Sequence, residues 1–222
     1  MGNLKSIAVN GRSYEVCGKL GSGGFSEVYL VEDRRSKLKM ALKVMVCQED
    51  EQIQRALMEV QLHRRIDHPN VLRLLGSEIR LKAHNPRNEV EYSTTRSKEV
   101  LLLFPALTRG SLQDILNHSS LHKEPALSEI DCLQLFQGIV SGVREIHRLG
   151  LAHRDIKPAN ILLSDEFTPI VMDLGSVAPL NMMIQTHQDS MEMIEEAAQF
   201  SSAAYRAPEL YDDCFRGQLS AA

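Results

Sequence analysis

A chain of 222 residues, 43% hydrophobic and 24% charged, has the make-up of an ordinary folded protein with enough apolar side chain for a sizeable core. Its 25 basic and 29 acidic side chains leave a formal net charge of -4, which speaks against a nucleic-acid partner. The four cysteines, Cys17, Cys47, Cys132 and Cys214, are far apart and lack metal-ligand spacing, so they read as reduced thiols of a cytosolic protein; no apolar run approaches the roughly 18 residues that span a bilayer.

At the amino end, residues 1–13, Gly2 follows Met1 and Ser6 completes the Met-Gly-x-x-x-Ser/Thr pattern of N-myristoylation. A plain chain terminus explains the same residues equally well. One myristoyl chain binds membrane only marginally, and Lys5 is the only base nearby, so a stable anchor needs a second contact. From Tyr14 to Leu20, Glu27 to Glu32 and Met40 to Val46 the chain runs in short β-rich stretches separated by a glycine cluster and a polar turn, the pattern of an antiparallel meander. The period then changes: Ile53, Leu57, Val60 and Leu62 lie at helical spacing between Glu51 and Ile66, before His68-Pro69-Asn70. Val71 to Leu81 and Val100 to Phe104 read as two further strands, with the aperiodic polar stretch Lys82 to Glu99 between them. Helices are expected over Leu112 to Asn117 and Ser128 to Leu149, the second capped by Ser128 and Gly150. Ser190 to Phe200 also reads as helical, with Met191, Ile194 and Ala198 on one face.

Several segments carry chemistry. Gly21-Ser22-Gly23-Gly24-Phe25-Ser26-Glu27-Val28 lies between two expected strands, where it is either a loop whose backbone N–H groups approach phosphate or a tight hairpin turn. Lys43 sits in the next strand; it is either a surface lysine or the partner of Glu59, sixteen residues on. His153-Arg154-Asp155-Ile156-Lys157-Pro158-Ala159-Asn160 packs polar and charged residues ahead of the apolar run Ile161-Leu162-Leu163. It matches a catalytic-loop pattern with an asparagine five positions after the aspartate. Val171-Met172-Asp173-Leu174-Gly175 supplies a second acid, and Ala207-Pro208-Glu209 follows in order.

Together these motifs, from about Tyr14 to Glu209, resemble the eukaryotic protein kinases. Met172 to Ser176 and Tyr205 to Leu210 are similar to the Numb-associated kinases, and among these to the lipid-anchored serine/threonine-protein kinase sixteen group. The resemblance implies an α+β fold of two lobes: an antiparallel sheet with one helix and the hinge over 14–107, and a mostly helical, incomplete lobe over 108–222. It implies ATP and Mg2+ as cofactors and protein Ser/Thr hydroxyls as substrates. Asp155 would be the catalytic base, Lys157 would offset charge on the transferred phosphoryl group, and Asn160 and Asp173 would hold the metal. Gly21, Ser22, Gly23, Gly24 and Phe25 would cover the phosphates, with Lys43 and Glu59 orienting them. Leu20, Val28 and Ala41 above, Leu162 below, and the Pro105 carbonyl with the Leu107 N–H would hold adenine, while Phe104 narrows the back. These groups are expected to converge on one magnesium-bound triphosphate.

Arg154 resembles the arginine of kinases whose activation segment is ordered by a phosphate, with Thr186, Ser190, Ser201 and Ser202 as acceptors; for Thr186 and Ser190 a solvated hydroxyl is an equally good reading. Ser202 also matches the position that contacts the catalytic aspartate and lysine. The likeness further implies a cytoplasmic protein, peripheral on Golgi or endosomal/vacuolar membranes through N-myristoyl Gly2, acting in trafficking or signalling. Two positions depart from the commoner pattern, Ser26 for the third glycine and Leu174 for phenylalanine. With thirteen residues after Glu209, the segments that brace the large lobe are expected to be missing and the apolar face of 128–149 exposed. The rival reading is therefore a nucleotide-binding module that scaffolds partners without transferring phosphate. A small-molecule phosphotransferase is disfavoured by Arg154 and Ala207-Pro208-Glu209, which serve control by protein substrates.

Overall fold

The computed structural model describes residues 6–23, 26–81, 97–122, 127–211 and 217–220. It consists of two compact units, Met1–Arg65 with Arg73–Ala106, and Ile66–Leu72 with Leu107–Ala222.

The first unit is built on six strands, β1 (Ser6–Val9), β2 (Arg12–Ser22), β3 (Ser26–Asp33), β4 (Lys39–Cys47), β5 (Gly76–Leu81) and β6 (Lys98–Pro105), in the order β1-β2-β3-β4-β6-β5. Each neighbouring pair is antiparallel. β1 is a strand the periodicity reading does not expect, because four residues carry too little alternation. Its signal is Asn10-Gly11, the two-residue turn that pairs Val9 with Arg12; both turn residues have positive φ, 49° and 74°. Ile7 and Val9 join Tyr14, Val31, Met40, Leu42, Val44, Leu101 and Leu103 in one buried cluster. Leu42 is fully enclosed, so truncating it to alanine is expected to cost about 2–5 kcal/mol. The two outer strands approach each other, with Arg80 Nη1 donating to the Ala8 carbonyl at 3.2 Å and the Asn10 N–H to Glu78.

Helix α1 (Asp50–Arg65) packs against the sheet's other face. Its first turn carries Asp50 and Glu51 and its last His63, Arg64 and Arg65, both favourable to the helix dipole. It buries Ile53, Ala56, Glu59, Val60, Leu62 and His63, leaving Leu57 only half-buried. The expected strand over Val71 to Leu81 is shorter than its apolar run. Only Gly76–Leu81 is strand, since Val71 is bridged to Val171 of the second unit, to which Asn70 and Leu72 bond. Residues 82–96 of the expected loop lie outside the described residues, and Lys98 and Glu99 already belong to β6.

The second unit holds α2 (Leu112–His122) and α3 (Glu129–Arg148) with three two-stranded ladders. These pair β7 (Leu151–Ala152) with β10 (Ala178–Pro179), β8 (Ile161–Leu163) with β9 (Pro169–Val171), and β11 (Asn181–Ile184) with β12 (Gly217–Ser220). The segment Ile66–Leu72, placed by sequence in the first lobe, packs here instead. Asn70 Nδ2 donates to the Pro169 carbonyl at 2.8 Å, and Asn70 and Leu72 exchange backbone bonds with Val171 at 2.9 Å each. α3 begins with a Ser128/Asp131 capping box and ends at Leu149, with Gly150 beyond it at φ 77°, so the glycine lies one residue past the cap. On its outer face Ile130, Leu133 and Phe136 are 67%, 64% and 66% exposed.

Helix α4 (His187–Phe200) follows, capped by Thr186 and Asp189. Its buried residues are Ser190, Met193 and Ala197; of the apolar residues expected on one face, Met191 and Ala198 are exposed and Ile194 is half-buried. Among the described residues Cys17, Cys47 and Cys132 are free thiols, and no helix is long and apolar enough to cross a membrane.

Candidate active site

The expected site residues fall in both units. In the first, direct pairing puts Val28 opposite Lys43 and Ala41 opposite Phe104, and the two-residue repeat puts Ala41 and Lys43 on one face. That face meets α1, where Lys43 Nζ donates to Glu59 Oε1 at 2.7 Å, with side chains 16% and 4% exposed. Lys43 is therefore the partner of Glu59 rather than a surface lysine. Phe104 packs on the same side, edge-on to His63 with ring centroids 4.9 Å apart. Pro105 ends β6 opposite Met40.

Leu20, Gly21 and Ser22 close β2 and are exposed. Gly23 donates its N–H to the Ser26 carbonyl at 2.8 Å, forming the base of the loop, while Gly24 and Phe25 lie outside the described residues. A Cβ added at Gly21 would meet nothing within 4 Å, so packing does not require the glycine, and what its absence of side chain provides is open backbone. Beside the loop, Glu27 accepts from Lys19 Nζ at 2.7 Å and from the Tyr29 hydroxyl at 2.6 Å. The Tyr29 phenol is pushed up to about 12 by that hydrogen bond, with burial and the Glu27 charge adding.

In the second unit the residues of the expected catalytic loop converge. Asp155 is buried, and both carboxylate oxygens are engaged: Oδ1 accepts from the Ser202 N–H at 2.9 Å, and Oδ2 from Lys157 Nζ at 2.7 Å and Asn160 Nδ2 at 2.8 Å. Burial pushes this carboxyl upward, but Lys157 and the backbone and side chain of Ser202 outweigh it and hold it below the usual range. It is thus an ionised, weakly basic group. Lys157 also reaches Ser202 Oγ at 2.5 Å. Asn160 spends its amide nitrogen on Asp155, once to the carboxylate and once to the backbone carbonyl at 2.8 Å, which leaves the amide oxygen as the arm that can face a cation.

Asp173 stands at φ 64° and ψ 75°, a left-handed conformation that a non-glycine residue takes at a cost of about 1–3 kcal/mol. Leu174 after it is 1% exposed and fills the interior, as an apolar stand-in for phenylalanine should. The Met172 N–H donates to the Asn160 carbonyl at 3.0 Å, tying the two expected metal-side segments together. Leu162 lies on β8 and Leu107 accepts from the Gly110 N–H at 3.4 Å.

Three groups that the sequence reading did not assign belong to this arrangement. His153 is 2% exposed; its Nδ1 accepts the Asp155 N–H at 3.2 Å and its Nε2 donates to the Met172 carbonyl at 3.0 Å, so one neutral tautomer links the Asp155 segment to the Met172–Asp173 segment. Ser176 and Glu196 both engage Arg154. Only the His-Arg-Asp motif itself hinted at His153; a partner 42 residues away left no trace in periodicity.

The family model described as "Protein kinase domain" matches residues 14–218. Serine/threonine-protein kinase 16 of Homo sapiens is 35% identical over 206 residues, 93% of this chain and 63% of that protein. A probable serine/threonine-protein kinase of Dictyostelium discoideum is 30% identical, covering 95% of this chain and 72% of its own length. Serine/threonine-protein kinase ENV7 of Saccharomyces cerevisiae is 24% identical over 92% of this chain and 68% of its own. This chain spans about 63% of the length of the human, rat and mouse relatives it matches. With that match over most of the chain, the chain belongs to the protein kinase family.

Proposed function

We propose that the protein transfers the γ-phosphoryl group of ATP to serine or threonine hydroxyls of proteins. The observation that carries this reading is the Asp155 carboxylate, ionised and held by Lys157, Asn160 and Ser202. An aspartate with a lowered proton affinity is a poor general base in the ground state. It is well suited to orient a hydroxyl whose proton leaves late, because the phosphoryl-transfer transition state is loose and positioning contributes most of the rate. Lys157, bonded to the same carboxylate, puts a positive charge where the transferred group gathers negative charge.

ATP with Mg2+ supplies the activated phosphoryl group when bound. The donor set fits a hard cation: the Asn160 amide oxygen and the Asp173 carboxylate lie on segments joined by the Met172–Asn160 bond. Gly21, Ser22 and Gly23 with the Lys43–Glu59 pair would hold the phosphates, and Leu20, Val28, Ala41, Leu162, the Pro105 carbonyl and the Leu107 N–H would hold adenine. Attachment to internal membranes through N-myristoyl Gly2, and a part in trafficking or signalling, belong to the same proposal; their support is the acylation pattern at Gly2 and Ser6.

The test is incubation of the purified chain with labelled ATP, Mg2+ and a general protein substrate. The parent should label serine and threonine, and Asp155→Asn should lose at least about 100-fold. A parent that binds nucleotide and labels nothing would establish the scaffold reading instead. For the membrane claim, Gly2→Ala should move the protein from a membrane fraction to the soluble one, and an unchanged distribution removes it.

A further inference from the structure

Arg154 adopts φ 64°, a conformation that local sterics disfavour for arginine, so its place must be fixed by its partners. They come from two other segments. Nε donates to the Ser176 carbonyl at 3.0 Å, and the guanidinium fork closes on Glu196 of α4, Nη1 to Oε2 and Nη2 to Oε1 at 3.2 Å each. The two side chains are 9% and 32% exposed, and a two-pronged guanidinium–carboxylate pair with this little solvent combines charge with direction. Ser176 in turn donates its hydroxyl to the carbonyl of Phe200, the last residue of α4. The helix so anchored leads directly into Ser201 and Ser202, and Ser202 holds Asp155 and Lys157.

Sequence resemblance leads one to expect a phosphate at Arg154. All four hydroxyls that might carry it have other placements. Thr186 Oγ1 caps α4 by accepting the Asp189 N–H at 3.1 Å, and Ser190 is 2% exposed. Ser201 Oγ donates to the Ala197 carbonyl at 2.6 Å and accepts from Arg206 Nε at 2.9 Å, while Ser202 Oγ accepts from Lys157.

We propose that Glu196 is a positioning residue. Its carboxylate occupies the place at Arg154 that a phosphate group would otherwise take, and it holds α4, Ser202 and Asp155 in register with no covalent modification of the segment. The inference rests on the phosphoryl-transfer reading above for its kinetic consequence but not for its structural one.

The experiment uses the full chain, treated with phosphatase and shown by intact mass to carry no phosphate. Hydrogen exchange of residues 187–205 is compared in the parent, Glu196→Gln, Glu196→Asp and the control Glu192→Gln, an exposed acid of the same helix. The parent should be protected, Glu196→Gln should exchange about tenfold faster, Glu196→Asp should fall between, and the control should match the parent. In phosphoryl transfer, Glu196→Gln should lower kcat about tenfold with KM for ATP within about twofold, and Glu196→Asp should recover part of it. Three results overturn the proposal: exchange unchanged in Glu196→Gln, the same acceleration in the control, or protection in the parent that needs added phosphate. If Glu196→Gln does not fold, Glu196→Asp against the control decides by the same criteria. A parent that transfers no phosphoryl group sinks the functional reading, while the exchange data still decide the role of Glu196.

Discussion

His153 carries a pH dependence that follows from its two hydrogen bonds. Burial lowers its proton affinity, against the opposing pull of the Met172 carbonyl and the Asp173 and Asp155 carboxylates. A protonated ring could not accept the Asp155 N–H at Nδ1, so the folded state keeps the neutral form. The unfolded chain takes up that proton near about 6.5, so the stability from this group is complete above that pH and declines as pH falls below it. Asp155, whose folded value is depressed, acts in the same direction lower down: its contribution is present above about 4 and is lost as pH falls through the folded value. NMR titration of the imidazoles should find His153 neutral and Nε2-protonated at neutral pH and titrating below the ordinary histidine value; a His153 ring that titrates at about 6.5 or above contradicts this. The same two residues show what the chain's own order makes legible. His153, Asp155, Lys157 and Asn160 lie within one eight-residue segment, and chemistry needs them at fixed spacing, so the segment announces itself. Glu196 and Ser176 act through tertiary contact with Arg154, and an acid on a helix surface looks like any other in sequence.

At the scale of elements, the strap Ile66–Leu72 depends on two glycines of α3. A Cβ at Gly142 would stand 2.4 Å from the Asn70 carbonyl oxygen, and one at Gly138 would stand 2.5 Å from Pro169 Cγ. The Asn70 carbonyl is also the acceptor for the Val171 N–H, so it cannot retreat without loss. Gly142→Ala gains about 1 kcal/mol in helix propensity, yet the clash with backbone should dominate and leave the protein less stable by about 1–3 kcal/mol in urea unfolding. A second element-level prediction concerns α4: Thr186→Ala removes the side-chain arm of its capping box, the acceptor of the Asp189 N–H, leaves the backbone N–H bond to Asp189 in place, and should cost about 1 kcal/mol, read from the same unfolding curves. These contacts also explain which elements sequence reading misplaces. β2, β3, β4 and α1 follow from their β-rich runs and helical period, and β6 from an apolar run whose residues Val100 to Phe104 are buried on both faces. Val71 to Leu75 carries the same apolar signature, but Val71 is bridged to Val171 through the bonds of Asn70 and Leu72, and β5 starts only at Gly76. α4 turns its Ser190–Met193–Ala197 face inward and Glu196 reaches Arg154, while pattern counting sees only apolar side chains.

At the scale of the whole chain, solution behaviour depends on how much apolar surface competes with how little charge. A formal net charge of -4 over 222 residues gives weak repulsion between copies. Against it stands the outer face of α3, where Ile130, Leu133, Phe136 and Val140 recur every three or four residues and are all about half exposed or more. Replacing Leu133 and Phe136 with glutamine keeps the charge and good helix formers while breaking the stripe; glutamate in both places also takes the charge to -6. Since neither side chain is buried, both double variants should keep the parent's stability within about 0.5 kcal/mol for each substitution. Light scattering as a function of concentration separates the contributions. Weaker association in the glutamine pair identifies the apolar stripe as the cause, and a further decrease in the glutamate pair measures what repulsion adds. If both variants associate as the parent does, the α3 face plays no part in the chain's self-association.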